Sequence, residues 1–93
     1  MDLIKLLTRY WFEFYKDKVT DLPAGLGLGC GVTAFNYLDA ISILEDKVFR
    51  GQVLPQIKVQ KENVDIRTLD AGHVIPNMQD PTLRGVWFPM GYL

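Results

Sequence analysis

Three side chains carry the types of a nucleophilic relay. Cys30 would supply a thiolate, His73 a base to take its proton, and Asp70 a carboxylate to orient the imidazole. The set is one of types alone, because no local signature surrounds the cysteine. Cys30 alternates with Leu28 and Val32 on an apolar face, and a thiol buried without a neighbouring cation is raised in pKa and inert. His73, the sole histidine, reads as a residue that orders its loop by hydrogen bonding. Ser42, the sole serine, falls in the middle of a helical pattern, which does not suit a serine triad. One cysteine and one histidine do not close a four-ligand metal site, and the carboxylates do not follow a calcium-loop pattern. No metal or cofactor is expected.

A second feature with chemical potential is the alternation of Gly25, Gly27, Gly29 and Gly31 with Leu26, Leu28, Cys30 and Val32. Both phosphate-binding patterns fail here. The dinucleotide fingerprint needs a third glycine where Cys30 or Val32 stands, and the P-loop needs Gly-Lys-Ser/Thr where Ala34, Phe35 and Asn36 stand. Read as a strand over residues 26–35, period two places all four glycines on one face. That face leaves room for large side chains of a neighbour, or for a ligand. The aromatics of an earlier segment are the expected filling.

The elements that would position these residues follow from periodicity. Residues 8–16 read as a strand with Tyr10, Phe12 and Phe14 on one face and Trp11, Glu13 and Tyr15 on the other. Residues 17–25 read as a loop turned by Asp21 and Pro23. Asn36 is a helix N-cap, with Asp39 at the third helical position. Tyr37, Ala40, Ile41, Leu44 and Val48 form an apolar stripe, and Arg50 and Gly51 suit the end of the helix. Ile57 and Val59 alternate with Lys58 and Gln60 in a third strand over residues 56–61. A helical turn is expected near residues 66–71, then a loop ordered by Pro76 and Asn77, and a last strand over residues 84–88. The predicted fold is α+β: a small antiparallel sheet in the order β-β-α-β-turn-β, with one main helix on one face.

The chain has 93 residues, 48% apolar and 23% charged, which fits one globular domain rather than a disordered segment. Net charge is −1 and the ten basic residues are scattered. The basic stripe that phosphate neutralisation requires is missing, so nucleic acid is not an expected partner. A lone cysteine forms no internal disulfide. The first seven residues, with Asp2 early, do not form a secretory signal, and no stretch approaches the ~18 apolar residues that span a bilayer. The expectation is a cytoplasmic protein with no membrane contact.

Three blocks together, Gly29-Cys30-Gly31-Val32-Thr33-Ala34, His73-Val74-Ile75-Pro76-Asn77-Met78 and Arg84-Gly85-Val86-Trp87-Phe88-Pro89, resemble a group of small bacterial proteins of unknown function. The resemblance spans most of the chain beyond Leu28 and carries no activity or site. By analogy of size and type it implies an immunity protein of a toxin system.

The leading expectation is therefore a non-enzymatic protein-binding module, in particular one that binds and neutralises a toxin domain. Its candidate contact residues are Asp39, Glu45 and Asp46 on an acidic helix face, with Met78, Arg84, Trp87 and Tyr92 as an exposed C-terminal patch. The alternatives are a small enzyme or ligand binder using Cys30, His73 and Asp70 beside the glycine face, and a subunit module that self-associates through an edge strand.

Overall fold

The computed structural model describes residues 6–15 and 25–92. The elements are strand β1 (Thr8–Phe14), strand β2 (Cys30–Ala34), helix α1 (Tyr37–Ile43) continued by a π-helical segment (Leu44–Phe49), strand β3 (Ile57–Glu62), two 3₁₀ turns (Ile66–Thr68 and Ile75–Asn77) and strand β4 (Gly85–Phe88). All pairings are antiparallel and the sheet order is β3-β1-β2-β4. The α+β architecture and its order of elements match the sequence expectation. The expected loop over residues 17–25 lies outside the described residues, except Gly25.

Side-chain alternation along β1 builds two cores. Tyr10, Phe12 and Phe14 join Cys30, Val32, Ala34 and Val86 beneath the helix, where Ala40, Ile43, Leu44, Val48 and Phe49 complete the layer. The helix starts as its sequence dictates. The Asn36 side chain accepts from the Asp39 amide at 2.8 Å, and Asp39 Oδ2 accepts from the Phe35 amide at 3.0 Å. Its widened last turns repeat every five residues rather than four. That spacing brings Phe49 round to the face of Leu44, where it meets Phe14 edge-on at 5.5 Å. Arg50 and Gly51, both with positive φ, end the helix.

The other face of the sheet is also covered. Trp11, Trp87 and Phe88 pack there with Val64 and Val74, and Ile66, Leu69 and Met78 flank them. The cover is the irregular stretch between β3 and β4, which has no regular element beyond the two 3₁₀ turns. Hydrogen bonds pin it down: Arg9 Nε donates to the Val64 carbonyl at 2.9 Å and Thr33 Oγ1 to the Pro81 carbonyl at 2.6 Å.

Two sequence expectations are corrected. Residues 25–28 form a turn, and β2 begins only at Cys30. Four alternating glycines cannot hold an extended ladder, because glycine weakens a strand and supplies no cross-strand contact. Leu28, expected beside Cys30 in the apolar layer, is exposed, whereas Leu26 is buried. Trp87, expected in an exposed patch, is 1% exposed. It points away from the helix, but Phe88 does so too, because the strand register shifts opposite Gly31 and Val32, and the face both enter is a second core and not solvent.

Candidate partner-binding surface

The glycine run is filled at Gly29 and Gly31 and open at Gly27. A Cβ at Gly31 would lie 2.5 Å from Trp87 Cζ2, and one at Gly29 would lie 2.5 Å from Trp11 Cζ2. The two indoles pack against one another with ring centroids 6.0 Å apart. The aromatic filling expected from the first strand holds for Gly29; at Gly31 it comes from β4. No groove is left over these two glycines for a ligand.

The residues of the nucleophilic set are not assembled. Cys30 is fully buried in the helix-side core, and burial pushes its thiol pKa far above the ordinary range. Asp70 and His73 do meet, with His73 Nδ1 3.1 Å from Asp70 Oδ2. They lie on the stretch that covers the opposite face of the sheet, beside Val74 of the second core. The sheet thus separates thiol from imidazole. Asp70 organises a turn instead: Oδ1 accepts the amides of Gly72 at 2.7 Å and His73 at 3.2 Å. Those bonds, led by that of Gly72, hold its carboxyl below the usual carboxylate range. No group of three metal-ligating side chains occurs among the described residues.

The C-terminal candidates divide between the two cores. Met78 and Trp87 belong to the second core, whereas Tyr92 packs against the helix-side core, and partial burial raises its phenol pKa. The expected single patch of Met78, Arg84, Trp87 and Tyr92 is therefore not formed. Of the acidic helix face, Glu45 and Asp46 are exposed, with Lys47 Nζ 3.7 Å from Asp46.

Asp39 and Arg84 are brought together from opposite ends of the candidate set. Arg84 Nε and Nη2 donate to Asp39 Oδ2 and Oδ1 at 2.9 and 2.5 Å, a bidentate fork. The same carboxylate caps the helix start through Phe35. Arg84, and secondarily the Phe35 amide, lowers the Asp39 pKa. The guanidinium also lies over the Phe35 ring, 5.3 Å from its centroid. Exposed apolar side chains adjoin both members of the pair in the chain: Leu38, next to Asp39, is 77% exposed and Leu83, next to Arg84, 65%, while Phe35 beneath the guanidinium is 40% exposed. Beside it, Gln79, Asp80, Leu83, Arg84, Gly85 and Val86 line a shallow cleft of about 170 Å³. Sequence reasoning named Asp39 and Arg84 but missed Phe35, Leu38 and Leu83. The available signal was Leu38, an apolar residue off the helix stripe beside the capping carboxylate.

Comparisons with family models, curated proteins and solved structures found no match. No helix among the described residues is long and apolar enough to cross a membrane.

Proposed function

We propose that this chain is a protein-binding module whose contact surface is built on the Asp39–Arg84 pair and the exposed Phe35, Leu38 and Leu83. The observation that carries the reading is a fixed bidentate pair whose chain neighbours, Leu38 and Leu83, are large exposed apolar side chains, with exposed Phe35 beneath the guanidinium. Isolated exposed leucines are ordinary, but a cluster rimmed by polar groups marks an interaction site. Arginine and aromatic side chains are the residue types that anchor such sites. Here Arg84 is held by Asp39 and Phe35 before any partner arrives, so little side-chain freedom is lost on binding.

Neutralisation of a toxin domain is the particular role suggested by the three-block resemblance. Exposed Glu45 and Asp46 would then steer a basic partner. The buried thiol and the aromatic filling over Gly29 and Gly31 favour binding over catalysis by Cys30.

The test is capture from the native host with the wild-type chain and with the Leu38→Asp/Leu83→Asp variant. Both side chains point to solvent, so the variant should melt within a few degrees of wild type. A partner retained by wild type and lost by the variant supports the surface. A partner held equally by both refutes it. Reversal of Glu45 and Asp46 to Lys should slow association at low salt alone, since exposed charges are screened over ~8 Å at physiological ionic strength.

A further inference from the structure

Phe12 pairs with Cys30 at the start of β2, and Gly85 pairs with Thr33 near its end. Glu13 and Phe14 therefore lie at the end of the sheet away from Arg84. There β1 meets a bulge in β3. Glu13 pairs with Val59 and Phe14 with Ile57, so Lys58 is an extra residue with no partner of its own. Regular alternation would turn Lys58 away from the face that Glu13 and Val59 share. A bulge re-aims the side chain it carries. Here Lys58 lines one pocket, of about 280 Å³, together with Glu13, Phe14, Tyr15 and Gly27.

The two charges in this pocket are held differently. Glu13 is anchored from below, because its Oε2 accepts from the indole Nε1 of buried Trp11 at 3.1 Å. Lys58 is exposed. Among the described residues neither has an ion-pair partner, and they do not pair with each other. Opposite charges thus border one cavity and stand apart across it. Gly27 keeps its side of the pocket clear, since nothing lies within 4 Å of a Cβ added there.

We propose that this pocket binds a free α-amino acid, with the ligand ammonium at the Glu13 carboxylate and the ligand carboxylate at the Lys58 ammonium. A few placed polar groups against an apolar wall are the ordinary make-up of a small-molecule site. A ligand of single charge meets one attractive and one repulsive group here, whereas a zwitterion is matched at both. A free amino acid carries both charges on one carbon, and a peptide separates them. Phe14 and Tyr15 give the pocket its apolar wall, which makes leucine a suitable probe.

Titration of the full chain with L-leucine, followed by amide and indole NMR resonances, tests the site. The Gly27 amide and the Trp11 indole N–H should shift saturably, the latter through Glu13, while the Trp87 indole N–H stays in place. N-acetyl-L-leucine lacks the ammonium and L-leucinamide lacks the carboxylate; each should bind roughly tenfold more weakly, the worth of one charged contact. Lys58→Met should weaken leucine by a similar factor and abolish its advantage over leucinamide. Glu13→Gln keeps an acceptor for the Trp11 indole and should abolish the advantage over N-acetyl-leucine. Leu38→Asp/Leu83→Asp should leave the titration unchanged, so the pocket stands or falls independently of the partner-binding surface. Absence of any shift with leucine overturns the proposal. So does binding that is indifferent to Lys58→Met, or analogues that bind as tightly as leucine itself.

Discussion

Replacing Gly31 by Ala adds one methyl group at the place where the second core is tightest. Its φ is ordinary for any residue, so the effect is one of space and not of backbone strain. The new Cβ would meet Cζ2 and Cζ3 of Trp87 at 2.5 Å, about an ångström inside the usual carbon–carbon separation. The obstacle is a rigid indole and not the far end of a flexible chain. Trp87 cannot back away, because it is 1% exposed and Trp11 packs against it. Overpacking costs about 1–3 kcal/mol, and the rigid backing points to the upper end of that range.

For a chain of this length the whole stability is about 5–14 kcal/mol. A loss of about 3 kcal/mol lowers Tm by about 12–24 °C. Gly27→Ala is the control, since nothing lies within 4 Å of its added Cβ; its effect should stay within about 0.5 kcal/mol. Trp87→Phe should relieve the clash, so Gly31→Ala/Trp87→Phe should be more stable than the sum of the single changes predicts, by about 0.5–3 kcal/mol. It also removes an indole N–H that is buried without a hydrogen-bond partner among the described residues. Thermal and urea unfolding followed by circular dichroism would measure the four variants against wild type. Equal melting of wild type and Gly31→Ala, or strict additivity in the double variant, would refute the claim that the indole sets the limit on this residue.

Cys30 should react with a thiol reagent only as fast as the domain opens, because it is fully buried and its thiol pKa is raised; rapid labelling in native buffer would contradict that placement. Asp39 has a lowered pKa in the folded chain, so its contribution to stability is present above the ordinary carboxylate value and is lost as pH falls through the folded one. Acid titration of stability should therefore show a decline setting in near pH 3.8 that Asp39→Asn partly removes, worth about 1 kcal/mol or less given the exposure of Arg84. Asn36→Ala should cost about 1 kcal/mol by removing the side-chain cap, and urea unfolding would check it.

The helix was legible because each signal acts over a few residues. Asn36, Asp39 and the stripe from Tyr37 to Val48 agree with one another locally, and tertiary contacts only reinforce them. The faces of β1 were legible for the same reason, since period two over seven aromatic-rich residues admits one reading. The second core was not. Its cover, between β3 and β4, has no period, and Val64, Val74 and Met78 are spaced by the path of a coil. Without knowledge of that cover, Trp87 on the outer face of a terminal strand reads as an exposed anchor. The same gap hid the Asp39–Arg84 fork, which joins residues 45 positions apart. Only sheet order β3-β1-β2-β4, with β4 beside β2 and its following helix, brings the two into reach.

Two covered faces also limit where a partner can touch this domain. In a sheet with one open face, a broad flat surface would be the natural place for docking. Here the helix takes one face and the coil, sealed by Trp11 and Trp87, takes the other. What remains is the rim: the strand edges, the start of α1 and the turn before β4. Apolar exposure at the helix start and that turn, from Phe35 and Leu38 to Leu83, is therefore harder to assign to core formation than it would be in a half-covered sheet. The core is already complete without those side chains. That completeness is why the Asp39–Arg84 surface carries the functional reading.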